Sequence, residues 1–160
     1  MDIRGLMSNK SLYQKLSYVL PLITLVLMIW GNITKAIGGG LGCPDWPLCH
    51  GQIIPFDAPN TPLAHLIGEY GHRIIAGALT IAIASAFIYS SNFRHESPRL
   101  FKLVVLIAIL LVGEILVGGL VILTNLENVL LGAVHLTLGV LIFGLAIIHA
   151  FWLQQDLISP

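Results

Sequence analysis

His72 and His135 are the residues of this sequence whose surroundings most invite chemistry, because each lies early in its own long apolar run. The spacing predicts His72 about eight residues into one helix and His135 about six into another, so that both lie roughly 10 Å below the same membrane surface. Two imidazoles at one depth on facing helices can each give a nitrogen to a haem iron, one from either side. Small neighbours on the same faces, Gly68 and Ala76 around His72 and Gly132 and Gly139 around His135, would let a flat macrocycle approach both helices. The competing reading makes each histidine a polar side chain hydrogen-bonded between helices.

Glu69 precedes His72 by three residues and His65 lies a further turn outward, so the three share one stripe. A carboxylate at this level suits a proton relay or a group acting on a bound substrate; pairing with Arg73 or His65 is the plainer alternative. Arg73 can hold a haem propionate bidentately or snorkel to the interface. Glu114 falls near mid-membrane with no basic residue evident at its level. It serves a proton path or the substrate, or only bonds two helices when protonated. His149 shares a face with His135, but Ser85 and Ala86 stand at the matching level of the second helix. No second histidine pair is therefore expected, and His149 is expected at the interface and His95 in a solvated loop.

Cys43 and Cys49 are the only cysteines and stand in Cys43-Pro44-Asp45-Trp46-Pro47-Leu48-Cys49, on the side where thiols are oxidised. A disulfide is expected, either as a clamp on a loop rich in Gly and Pro or as a redox-active pair. Two thiolates at this spacing, even with His50 as a third ligand, are a weak signal for zinc.

These residues must be positioned within lipid. The 160-residue chain is 56% hydrophobic and only 10% charged, with net charge zero and a mean hydropathy of +0.89. Such a balance excludes an ordinary soluble domain and a nucleic-acid binder. Four runs are long enough to span the bilayer, at about 16–37, 64–90, 100–123 and 129–153. Because lipid leaves no backbone group unpaired, the expected fold is all-α, a four-helix transmembrane bundle in a single domain without internal repeat. Arg4, Lys10, Lys15, Arg94, Arg99 and Lys102 fall on one side, against Lys35 and Arg73 on the other. Both termini are thus expected in the cytoplasm and the 38–63 loop outside. The first apolar run is too long for a signal-peptide core and is expected to be retained.

Gly38 to Gly51, reading Gly-Gly-Gly-Leu-Gly-Cys-Pro-Asp-Trp-Pro-Leu-Cys-His-Gly, resembles the first external loop of the haem A synthases. Glu69-Tyr70-Gly71-His72-Arg73 resembles their second-helix motif, Gly118-Gly119-Leu120-Val121 the outer end of their third helix, and His135 their fourth-helix ligand. The resemblance covers nearly the whole chain. It implies a prokaryotic multi-pass enzyme of the cell membrane that oxidises a methyl group of haem O to the formyl group of haem A. On this reading Glu69 is catalytic, His72 and His135 ligate iron, and Glu114 and His65 are accessory. Full-length members carry eight helices in two similar halves, and this chain resembles the first. The resemblance therefore implies a homo-oligomer, with haem O synthase or a terminal oxidase under assembly as further partners. Glu114 departs from the pattern, which has an uncharged polar residue there. Competing readings are a small cytochrome b carrying electrons through one permanently bound haem, a thiol oxidoreductase using the cysteine pair, and an accessory subunit for oxidase assembly.

Overall fold

The computed structural model describes the backbone from Ile3 to Ile158 and side chains from Tyr13 to Gln155. Four helices run in order: α1 (Ile3–Ala36), α2 (Leu63–Asn92), α3 (Pro98–Leu123) and α4 (Val129–Ile158), with a short 3-10 turn (Gly39–Leu41) after α1. No strand occurs among the described residues, and all four helices are long and apolar enough to cross a membrane.

The helices outrun the apolar stretches that announce them. α1 starts at Ile3 rather than near residue 16, and α4 continues to Ile158, although the apolar spans cover only Tyr13–Ala36 and Val129–Gln155. Helix propensity continues where hydrophobicity stops, because Gln, Lys and Leu favour a helix in water as well as in lipid. The side chains of Arg4 and Lys10, counted above for orientation, lie outside the described residues. α1 ends where Gly38 takes a left-handed conformation, φ 75°. α3 begins with Pro98 in its first turn, where a missing N–H is harmless.

Neighbouring helices pack around a ring, α1 on α2, α2 on α3, α3 on α4 and α4 on α1, so α2 and α4 face each other across the diagonal. The two ends of this ring differ. Leu20, Leu79, Ile83, Val104, Ile107 and Ile142 form a tight apolar core in the half remote from the 37–62 loop. In the loop half, residues 70–78 of α2 and 129–141 of α4 include no fully buried residue. The diagonal is closed by core at one end and loosely filled at the other, where His72 and His135 lie.

The loop is seated on the start of α2 through glycine. A Cβ on Gly42 would collide with the His65 carbonyl, and one on Gly39 would press the His65 Cα at 3.2 Å. We expect Gly42→Ala to lower stability in detergent by about 1–3 kcal/mol, the usual cost of forcing atoms into a packed backbone contact. A thermal melt matching the parent protein would show that the seat is not required.

Candidate functional site

The site grows from glycine seats on α1 and α3. A Cβ on Gly31 of α1 would meet the His72 ring at 2.9 Å, and one on Gly118 of α3 would meet the His135 ring at 3.0 Å. Each imidazole thus rests on the backbone of a neighbouring helix that carries no side chain there. The two rings come from the diagonal pair α2 and α4, and His135 lies within electrostatic reach of both His72 and Glu69. His72 Nδ1 and His135 Nδ1 are buried and accept or donate no hydrogen bond. Among the described residues no cluster of three or more His, Cys, Asp or Glu could hold a bare metal ion. An imidazole on α2 with a buried Nδ1 that makes no hydrogen bond, and a second on α4 whose Nδ1 lies against Glu114, fit a flat iron macrocycle at the loosely packed diagonal, whose own four nitrogens would complete the coordination.

Glu69 is buried, 8% exposed, and its Oε1 accepts a hydrogen bond from Arg73 Nε at 3.1 Å. Arg73 neither snorkels nor points to open solvent. Its Nη1 donates to the Leu48 carbonyl at 2.6 Å, and its Nη2 donates to the carbonyls of Cys43 and Asp45, both at 3.0 Å. One guanidinium therefore ties the carboxylate of α2 to the loop on either side of the disulfide. The backbone of His65, the residue expected as an accessory on the Glu69 stripe, forms a platform beneath Gly39 and Gly42.

The Cys43–Cys49 disulfide is formed, which removes the thiolates that zinc would need. His50 Nε2 lies 3.0 Å from the Gly42 carbonyl, and the backbone N–H groups of His50 and Gly51 donate to the Asp45 carboxylate at 2.6 and 2.7 Å. Desolvation is the largest single influence on the Asp45 carboxyl and raises its pKa, but the amides of Gly51, His50 and Asp45 itself, with the Arg73 charge, together outweigh it and hold the carboxyl below its ordinary value. Trp46 lies against Gly119 of α3, where a Cβ would approach its ring to 2.8 Å, so the loop covers this end of the bundle.

Two expectations need correction. Glu114 does have a partner at its level: its Oε1 lies 3.1 Å from His135 Nδ1. Glu114 stands nine residues before the end of α3 at Leu123, and His135 six after the start of α4 at Val129. Counting both from the shared end would have revealed the pairing, since long side chains close the remaining step. Gly68 does not face a macrocycle. Its missing Cβ makes room for Thr34, and its carbonyl accepts from Trp30 Nε1 at 2.9 Å. His149 is fully buried within the bundle, with Nε2 2.7 Å from the Tyr13 hydroxyl, because α1 passes beside α4 and supplies the polar partner that α2 lacks. His95 is exposed as expected, beside Arg94.

A polytopic helical membrane protein with a disulfide-capped end and two histidines facing across its diagonal is the class this geometry defines. The chain belongs to the COX15-CtaA family of cytochrome oxidase assembly proteins, whose family model matches residues 14–159. It is 29% identical over 155 residues to the haem A synthase of Bacillus pumilus (strain SAFR-032), a match covering 91% of this chain and 48% of that protein. It is also 29% identical over 107 residues to the haem A synthase of Shouchella clausii (strain KSM-K16), covering 66% and 34%. A third relative, the haem A synthase of Exiguobacterium sp. (strain ATCC BAA-1283 / AT1b), is 34% identical over 84 residues, covering 49% and 26%. The chain spans half or less of the length of these curated relatives. No solved structure matches it significantly. With four spanning helices and bacterial relatives, it is a multi-pass membrane protein of a prokaryote.

Replacing Arg73 by Ala leaves three loop carbonyls and a buried carboxylate without their donor, at a cost of roughly 2 kcal/mol or more. Limited proteolysis should then cut the 43–49 loop at least several-fold faster, and Arg73→Lys should fail to restore the parent rate because an ammonium cannot span the fork. Because the Asp45 carboxyl titrates lower in the fold than in a free chain, its tether is complete above the ordinary aspartate range. It is lost as pH falls through the folded value. Cleavage of the loop should accelerate over that acidic window in the parent and show no such step in Asp45→Asn.

Proposed function

We propose that this protein acts in haem A synthesis, oxidising the methyl group of haem O to a formyl group. The observation that carries the reading is the pair of glycine-seated imidazoles on diagonal helices, with the buried carboxylate of Glu69 one turn from His72. Membership of the family and the haem A synthase names of the relatives support it. His72 and His135 hold the substrate iron, one from each side. The loosely packed stretch between α2 and α4 admits the macrocycle from the lipid.

Glu69 performs the proton work. Taking a methyl to a formyl group with oxygen from water releases four protons and four electrons; the electrons would pass to an external acceptor, and a desolvated carboxylate near the methyl would take protons. Arg73 orients that carboxylate through Nε. Its remaining hydrogen bonds run to the loop, so in this reading it contributes chiefly by fixing Glu69, and a propionate would compete with the loop carbonyls for its fork. The loop, pinned by the disulfide and by Trp46, screens the site from bulk water and favours charge chemistry within it. The orientation with this loop outside the cell, and the association of several copies, are part of the same proposal. So are contacts with haem O synthase or an oxidase under assembly.

Co-expression with a haem O source, purification in detergent and mass analysis of the extracted haem test the reading directly. Haem A or its hydroxylated precursor is expected from the parent protein. Glu69→Gln should retain haem O and lower its conversion by about 100-fold or more, whereas His72→Ala and His135→Ala should lose bound haem. Full conversion by Glu69→Gln would remove the proton role. Haem b alone, with haem O untouched, would make the protein an electron carrier instead.

A further inference from the structure

α3 and α4 are interlocked by a reciprocal arrangement around His135. His135 of α4 projects onto Gly118 of α3, and Glu114, one turn before Gly118, projects back onto Gly139 of α4, one turn after His135. A Cβ at Gly118 would stand 3.0 Å from the His135 ring, and one at Gly139 would stand 3.3 Å from Glu114 Oε1. Each glycine makes room for the polar side chain of the opposite helix, and the two polar groups meet with Oε1 and Nδ1 3.1 Å apart. The two atoms are in close polar contact without forming a hydrogen bond. Glu114 Oε2 and His135 Nδ1 are both buried and satisfied by no hydrogen bond. They are the nearest complementary groups to each other in an apolar setting. Lone buried carboxylates are costly in a membrane, so an acid held here against a histidine calls for a use.

We infer that Glu114 is a positioning residue for the haem-ligating histidine, holding His135 through Nδ1 so that Nε2 is the nitrogen presented to iron. This rests on the haem reading above. A carboxylate behind a metal-bound imidazole fixes its tautomer and ring orientation and increases its electron donation to the metal. Glu114 thereby acts on one axial position only. His72 has no carboxylate behind it and rests on Gly31, with its Nδ1 unpartnered. With haem bound, the two histidines would therefore be unequal ligands, with the stronger donor on the α4 side. Increased donation favours ferric over ferrous iron and lowers the midpoint potential.

The test uses the full-length chain in detergent, loaded with ferric protoporphyrin IX, and reads the low-spin absorption spectrum, the midpoint potential and the rate of haem transfer to excess apomyoglobin. Glu114→Gln keeps the shape and an acceptor oxygen but removes the charge; it should keep the low-spin spectrum and raise the midpoint potential. Glu114→Leu should also release haem on the order of tenfold faster. Gly139→Ala, which presses on Oε1 without touching the imidazole, should fall between the two. Unchanged potential in Glu114→Gln together with an unchanged release rate in Gly139→Ala would overturn the inference even if Glu114→Leu failed to fold. A parent protein that forms no low-spin haem spectrum would instead refute the haem reading, and this inference with it. A parent with that spectrum and indifferent variants would refute the Glu114 role alone.

Discussion

The Arg73 guanidinium is the interaction on which the loop end of this protein depends. Its four hydrogen bonds reach Glu69 on its own helix and three carbonyls of the disulfide loop. The loop is rich in Gly and Pro, and its Ile53, Ile54 and Phe56 stay exposed, so burial of these side chains does not seat it on the bundle. The planar fork does, because it satisfies several carbonyls at fixed angles in a single step. The same fork supplies a counter-charge to a carboxylate that would otherwise stand alone near lipid. Loop order and the placement of the acid are thus one event.

Stability and chemistry are assigned to opposite ends of the same helices. The half remote from the loop packs Leu, Ile and Val into a dry core. The loop half uses glycine where helices approach and leaves aliphatic positions incompletely buried. Close glycine contacts suit a membrane interior, where hydrophobic burial gives no drive to association and helices are held by packing and polar contacts. Trp30 shows the pattern, with its ring over Gly71 and its N–H on the Gly68 carbonyl. Concentrating tight packing at one end leaves the other free to take up a large planar molecule without dismantling the fold.

Much of this was legible in the sequence. Hydropathy gave the four helices because lipid allows no other backbone solution for such runs, and two cysteines in one loop gave the disulfide. The histidines stood out because ionisable groups are rare in spans. What was hidden depends on which faces meet. Gly68 and Gly139 look alike in sequence, yet one accommodates Thr34 and the other Glu114. The partner of His149 was missed because only α2 was searched for it, while that partner, Tyr13, lies on α1, in a stretch read as preceding the first span. Arg73 was judged by charge and depth, neither of which reveals that a loop some 25–30 residues earlier folds back onto it.

The diagonal arrangement makes the bundle a book with two covers. One cover is the α1–α2 hairpin, with His72 lying on Gly31; the other is the α3–α4 hairpin, with His135 lying on Gly118. Each cover holds its own histidine against its own glycine. The spine is at the far end, where Tyr13 bonds His149 and Gln14 bonds Gln154 between α1 and α4. A flat guest slid between the pages would be gripped by both covers at once and would join them at the open edge. The energy of ligation would then be felt as closure of the whole bundle, with the spine acting as the pivot.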